Sequence, residues 1–285
     1  MISQADILRS YRKFIKSKDK KQDVREFMLK AEDELVRLYD DISNGLYRHG
    51  SYQYFTIYDT KKREIHKTEI RDRIVHQLVY DYLNGIYDKS FYYHSYAARK
   101  GKGTYQAINA LKLMARSASR GNRRRIFILK LDIRKFFASV DKMILLKLLS
   151  GRKLNSQYSL LIKEIIRGFH PERPRGIPLG NLTSQIFANI YLNELDRFIK
   201  YDLKAEYYLR YMDDLILLGG RRDQLSDYEL KIEKFLLQRL NLRLRGEYHF
   251  KKSKQGIDFL GYVIFPHHTI LRTKTKRRML KRANK

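Results

Sequence analysis

The sequence contains no cysteine, which removes disulfide staples and Cys-based zinc sites and is compatible with a reducing compartment. No stretch approaches the roughly 18 consecutive apolar residues that a membrane-spanning helix requires. The opening Met-Ile-Ser-Gln-Ala-Asp lacks the apolar segment of a signal peptide, so a soluble, cytoplasmic protein with no membrane partner is expected. Internal repeats and low-complexity linkers are absent too. Acidic residues are scarce: 31 Asp and Glu stand against 60 Lys and Arg, a formal net charge of +29. That excess goes beyond what solubility needs and points to a polyanionic partner, nucleic acid first.

What is present is enough for a sizeable core, since 285 residues at 43% hydrophobic composition suit a globular chain of one or two lobes. Residues 1–50 read as a basic helical extension, with Ile7, Leu8, Tyr11, Phe14 and Ile15 at helical spacing and Gly45 as a stop. Residues 51–66 read as a hairpin turning on the polar Asp59-Thr-Lys-Lys62. Helices are expected at 69–86 and 104–120. Between them lies Ser95-Tyr-Ala-Ala-Arg-Lys-Gly-Lys-Gly-Thr104, whose glycines let backbone N–H groups approach an anion and whose Arg99 and Lys102 are candidate phosphate contacts. A solvated basic loop is the plainer reading. From 126 the pattern becomes α+β: a strand at 126–132, a helix from Lys142, a loop at 171–178, helices at 182–200 and 224–239, a hairpin at 207–218, and strands at 242–250 and 257–265. The last fifteen residues hold eight Lys or Arg and no acid, either a terminal helix or a solvated tail.

The carboxylates carry the chemistry. Asp213 and Asp214 sit together inside the apolar, β-prone run 207–218, and Asp132 ends the apolar strand Ile126-Phe-Ile-Leu-Lys-Leu-Asp132. Any one Asp is ordinarily a cap or a turn residue. Two in tandem, brought beside a third, repel one another and call for a counter-charge. Hard oxygen ligands suit Mg²⁺, with Mn²⁺ also admissible, and a pair of such ions supports in-line phosphoryl transfer.

Tyr211-Met-Asp-Asp214 resembles the active-site box of reverse transcriptases, and Leu131-Asp-Ile-Arg-Lys-Phe-Phe137 resembles the companion box that supplies the third aspartate. Between them, Gly176-Ile-Pro-Leu-Gly-Asn-Leu-Thr-Ser-Gln185 is similar to the segment lining the nucleotide and template site. Arg63-Glu-Ile and Arg71-Asp-Arg-Ile-Val-His resemble the fingers motifs, and Gly256-Ile-Asp-Phe-Leu-Gly-Tyr262 the late palm strands. The resemblance implies an α+β right-hand polymerase fold: fingers at 51–125, a palm at 126–265 and the basic start of a short or truncated thumb at 266–285. It implies an RNA-directed DNA polymerase whose Asp132, Asp213, Asp214 and Ile133 carbonyl bind two Mg²⁺ ions. Its partners would be template RNA, the RNA–cDNA heteroduplex and dNTPs. Arg63 would meet the triphosphate or stack on the base; a surface ion pair is its plainer reading. Phe137 would lie under the sugar, where related RNA polymerases carry an Asp, and would exclude a 2′-hydroxyl; one of Phe136 and Phe137 is expected to be core.

The form Leu179-Gly180-Asn-Leu-Thr-Ser-Gln185 resembles the reverse transcriptases of diversity-generating retroelements, which copy a repeat RNA with errors at adenines alongside a basic, oligomeric accessory protein. Leu179 and Gly180 would line the nascent pair, and Leu179 lacks the amide that other members place there, which weakens discrimination; simple packing is the alternative. Two departures stand out. The late palm lysine has no clear counterpart, Lys251 and Lys252 being candidates, and Ile57 lies near the place of a usual fingers lysine. Two rivals are a phage-defence or otherwise domesticated reverse transcriptase, and a non-catalytic RNA-binding protein on a polymerase fold.

Overall fold

Local sequence sets the first helix. Ser3 caps α1 (Gln4–Ile15) in a reciprocal box with Asp6, and the 3.6-residue spacing of Ile7, Tyr11 and Phe14 makes its buried face. The computed structural model describes residues 1–58, 62–246 and 249–283. It divides into two compact units, one made of 1–91 with 137–191 and the other of 92–136 with 192–285.

In the first unit, α2 (Gln22–Met28) and α3 (Ala31–Ser43) follow α1. The hairpin expected at 51–66 is formed by β1 (Gln53–Tyr58) and β2 (Lys62–Lys67), antiparallel from Gln53↔Lys67 to Tyr58↔Lys62. Residues 59–61 of its expected turn lie outside the described residues. Next comes α4 (Ile70–Tyr87), which buries Ile74, Val75, Leu78, Val79 and Leu83 and packs against α1.

The second unit starts with α5 (Thr104–Ala118) and β3 (Phe127–Asp132). The short α6 (Phe136–Ser139) leads back to the first unit, where α7 (Lys142–Ser150), capped by Asp141, and α8 (Ser156–Gly168), capped by Asn155, pack together. Then α9 (Leu182–Arg197) leads to β4 (Tyr207–Tyr211), β5 (Asp214–Gly219), α10 (Arg222–Leu240) and β6 (His249–Lys252). A four-stranded antiparallel sheet results, in the order β4-β5-β3-β6. Its central strands are apolar on both faces because both are covered. Ile128, Leu209, Ile216 and Leu218 share a core with Ala107, Ile108 and Leu111 of α5, and α10 packs on β3 and β5.

Two expectations change here. The strand expected at 242–250 is reduced to an isolated bridge, Leu244 with Ile133, followed by β6; residues 247–248 lie outside the described set. The strand expected at 257–265 is a tight hairpin of β7 (Ile257–Phe259) and β8 (Tyr262–Ile264), joined by β9 (Thr269–Leu271). Leu260 at φ 49° and Gly261 at φ 86° turn the chain between them. The basic C-terminal stretch is helical, α11 (Thr273–Ala283), with none of its residues buried. No helix among the described residues is long and apolar enough to cross a membrane.

Candidate active site

Strand register brings the acids together. Asp132, the last residue of β3, pairs directly with Asp214, the first of β5, and Asp213 precedes it in the two-residue turn that joins β4 to β5. Side chains alternate along a strand, so Lys130 and Asp132 share one face, and Ile216 and Asp214 share the same one. Like charges placed directly opposite are unfavourable, and two cations answer them: Lys130 Nζ lies 3.6 Å from Asp214 Oδ1, and Arg245 Nη1 lies 3.4 Å from Asp132 Oδ2. Lys130 also donates to the Asp258 carbonyl of β7 at 3.3 Å.

The backbone beside them is aimed as well. Arg245 N donates to the Asp132 carbonyl at 2.8 Å and Arg134 N to the Arg243 carbonyl at 2.9 Å, so Leu244 and Ile133 are a pair without mutual hydrogen bonds. The N–H and C=O of Ile133 therefore point away from Leu244, towards the side of β3 on which β5 and the aspartate turn lie.

That turn is strained. Met212, its first central residue, has φ 55°, a conformation that two-residue hairpins normally give to glycine and that costs a residue with a side chain about 1–3 kcal/mol. A buried network underlies it. Arg210 of β4 and Asp196 of α9 are both fully buried. The guanidinium forks onto the carboxylate, Nε to Oδ1 at 2.8 Å and Nη2 to Oδ2 at 2.7 Å, and Nη1 donates to the Met212 carbonyl at 3.1 Å. Tyr208 OH donates to Asp196 at 2.7 Å. Burial, and then the adjoining Asp196 carboxylate, raise the Tyr208 phenol well above its ordinary value and keep it a donor. Arg210 and Lys130 are not among the site residues expected from the sequence. The signal was available, since a guanidinium inside an apolar strand is as costly to desolvate as a carboxylate.

In the first unit Phe137, Leu179 and Gly180 lie on one connected run. The Phe137 carbonyl accepts from Ile177 N at 2.9 Å, and the Leu179 carbonyl accepts from His66 N of β2 at 3.0 Å. Asn181 Nδ2 returns a bond to the His66 carbonyl at 3.0 Å. Gly180 is at φ 109°, and a Cβ there would stand 2.8 Å from Ile65 Cγ2, so close approach of β2 demands glycine. Of the two phenylalanines, Phe136 is core at 2% exposure and Phe137 is partly exposed. Arg63 is exposed on β2, across from Ile57.

Arg99 and Lys102, in the second unit, brace their own loop. Arg99 Nη1 donates to the Tyr92 and Ser95 carbonyls at 2.9 and 3.2 Å, and Lys102 Nζ donates to the Tyr93 carbonyl at 3.0 Å while lying 3.7 Å from the Tyr93 ring centroid. The loop in turn pairs with the strand under the aspartates, as Arg210 N donates to the His94 carbonyl and Tyr96 N to that of Arg210.

Whether this set suits a divalent ion is a matter of its donors. Carboxylates, of which those of Asp132 and Asp214 are each about one-third exposed, and the Ile133 carbonyl are the hard oxygens such ions prefer. Among the described residues no three acidic or histidine side chains converge closely enough to hold an ion as they stand. Lys130 and Arg245 occupy the space beside two of them, so a divalent ion would have to displace both. The donor set fits the metal once those two cations yield.

A paired-aspartate hairpin on an antiparallel sheet, flanked by helices, defines a polymerase-type palm. The chain belongs to the reverse transcriptase (RNA-dependent DNA polymerase) family, whose profile matches residues 33–264. Protein YkfC of Escherichia coli K12 is 26% identical over 174 residues, covering 58% of this chain and 45% of that protein. The group II intron-encoded protein LtrA of Lactococcus lactis subsp. cremoris is 24% identical over 178 residues, covering 59% and 28%. Among solved structures, telomerase from Candida albicans in complex with a fragment of telomeric RNA aligns at a TM-score of 0.59 with 13% identity, over 80% of this chain and 46% of that one. Apo telomerase from Candida tropicalis, truncated from its C-terminal domain, aligns at 0.57 with 14% identity, over 78% and 55%. The polymerase fold is thereby established, and the chain spans less than half the length of the curated relatives it matches.

Proposed function

We propose that the chain is an RNA-directed DNA polymerase, extending a primer with dNTPs on an RNA template. The observation that carries this reading is the Asp132↔Asp214 pair with Asp213 in the adjoining turn, inside a family match that runs over residues 33–264. Asp132, Asp213, Asp214 and the Ile133 carbonyl would hold two Mg²⁺ ions. Bound there, the ions would supply Lewis-acid stabilisation of the charge that develops as the primer 3′-hydroxyl gives up its proton to water, its oxygen bonds to the α-phosphorus and the pyrophosphate oxygen departs. Arg63 would meet the triphosphate, Phe137 the sugar, and Leu179 and Gly180 the nascent pair. Arg99 and Lys102, whose cationic groups brace the 92–103 loop, would act on nucleic acid through that loop's shape.

The finer reading is a diversity-generating enzyme, error-prone at template adenines, working with template RNA and a basic accessory protein. Its support is the Leu179-Gly180-Asn-Leu-Thr-Ser-Gln185 form, joined by the way the Leu179 backbone is tied to β2 while its side chain offers no hydrogen bond.

Primer extension on an RNA template with dNTPs and Mg²⁺ tests the first reading: Asp213→Asn should abolish incorporation and leave RNA binding intact. Near-normal incorporation by that variant refutes the metal assignment. For the finer reading, Leu179→Gln adds an amide worth about 1 kcal/mol per well-placed hydrogen bond, several-fold in discrimination. Sequenced cDNA should then show fewer errors opposite adenine. A starting protein that copies adenine as faithfully as the other bases, with its RNA and accessory protein supplied, removes the diversity-generating assignment.

A further inference from the structure

We infer that Arg210 is a positioning residue for the metal-binding turn: clamped by Asp196, it holds the Met212 carbonyl and so keeps the Met212–Asp213 peptide in the left-handed geometry that aims the Asp213 carboxylate. The inference rests on the polymerase reading only for its catalytic consequence; the geometry stands by itself.

Three observations converge. First, a fully buried guanidinium is kept in the sheet although apolar packing would serve stability as well or better. Its placement makes sense if it does something an apolar residue cannot. Second, its donors are divided. Nε and Nη2 are committed to Asp196, with Tyr208 OH completing that carboxylate, and this leaves Nη1 directed at the Met212 carbonyl. The clamp comes from α9, outside the sheet, so the guanidinium cannot swing with the turn. Third, the bond falls on the residue whose backbone is strained: Met212 at φ 55°. A turn with a side chain at that position relaxes to negative φ unless something holds it. Rotating the Met212–Asp213 peptide would carry Asp213 away from Asp214 and Asp132. Groups that orient a metal ligand without touching the metal typically change metal affinity by about 10- to 100-fold when removed.

Lysine at 210 keeps a positive charge for Asp196 but has a single nitrogen, which cannot serve the carboxylate and the carbonyl together in the fork geometry. Arg210→Lys in the full chain should therefore weaken Mn²⁺ binding about tenfold, measured by electron paramagnetic resonance without nucleic acid or dNTP. Primer extension by the same variant should need a correspondingly higher metal concentration, with the KM for dNTP at saturating metal and the affinity for RNA both unchanged. Adding Met212→Gly, which removes the penalty on positive φ, should restore part of the lost Mn²⁺ affinity. A purely structural Arg210 would lower the melting temperature and leave metal affinity alone, and that result overturns the proposal.

Should Arg210→Lys fail to fold, two variants at the partly exposed Met212 read the same peptide with the buried clamp intact. Met212→Val, β-branched and intolerant of positive φ, should lose Mn²⁺ affinity, and Met212→Gly should keep it. Equal affinity in both refutes the inference. The two proposals fail separately. A wild-type chain that does not incorporate dNTPs but loses Mn²⁺ affinity on Arg210→Lys sinks the polymerase reading alone, whereas active enzyme with unchanged Mn²⁺ binding sinks the positioning role alone.

Discussion

Truncating Phe136 and truncating Phe137 should have opposite signatures, because the two rings lie on either side of the division between packing and function. Phe136 is 2% exposed, so Phe136→Ala leaves a cavity and should cost about 3–5 kcal/mol of stability. Phe137, at the start of α6, is partly exposed as a residue, and its carbonyl, which accepts from Ile177 N, survives any substitution. Phe137→Ala should therefore cost clearly less stability than Phe136→Ala. Its effect should fall on sugar choice: forcing a hydroxyl against a fixed ring costs about 1–3 kcal/mol, so losing the ring should raise the ratio of rNTP to dNTP incorporation by roughly 5- to 150-fold. The assay is primer extension on RNA with mixed nucleotides, digested with alkali to count ribonucleotides, beside thermal melts of both variants. A rise in ribonucleotides with Phe136→Ala and none with Phe137→Ala would refute the assignment of the gate. A destabilisation by Phe137→Ala as large as that by Phe136→Ala would refute the division itself.

Gly180→Ala should destabilise by at least the ~1–3 kcal/mol of its backbone strain, and Ile65→Ala in that background should recover the part due to the 2.8 Å contact; a strictly additive urea double-mutant cycle would show that the two do not touch. His76 is buried against His49 and Thr183, and burial first, then His49 and Arg73, push its pKa down to about 3. Below the unfolded value near 6.5 the unfolded chain takes up a proton that the folded chain refuses, so stability is full above that pH and is lost as pH falls from there towards 3. Urea midpoints between pH 7 and 4 should decline more steeply for the wild type than for His76→Gln, and parallel declines would exclude His76 as the source. RNA affinity should fall linearly with the logarithm of salt concentration, and removing residues 272–285 should flatten that slope if α11 meets phosphate; an unchanged slope excludes α11 from the contact.

The sequence made the acids legible because they interrupt an apolar, β-prone run, an anomaly visible without any partner. It made the β4–β5 hairpin legible for the same reason, since two carboxylates in mid-strand have to be a turn. Arg210 was equally anomalous, yet its meaning depends on Asp196, fourteen positions upstream on a helix, and local periodicity carries no trace of that pairing. Gly180 could be read as a residue near substrate, but its immediate cause, the side chain of Ile65, arrives from a distant strand. Hydrophobicity alone predicts one strand over 257–265, because the pattern runs through Leu260 and Gly261 without a break. Positive φ at both, more than any change of hydrophobicity, folds it into β7 and β8. Helix α8 went unread in the sequence, although Asn155 supplies an ordinary cap for it.

The β1–β2 hairpin has a colloidal consequence. Gln53-Tyr-Phe-Thr-Ile-Tyr58 is a six-residue strand without acid or proline, and Tyr54, Phe55, Ile57 and Tyr58 are 43–77% exposed. Among the described residues its sheet has two strands, β1 with an open edge and β2 bonded at His66 to Leu179 and Asn181. Such a segment is a template for strand-to-strand self-association. What opposes it is the net charge of +29, which makes copies repel, and that repulsion reaches about 10 Å in 0.1 M salt but only about 3 Å in 1 M. High salt, a usual step in purifying a basic protein, therefore removes the repulsion that keeps the hairpins apart. Replacing Tyr58 by lysine would put a local repulsion at the strand edge that depends less on the long-range field.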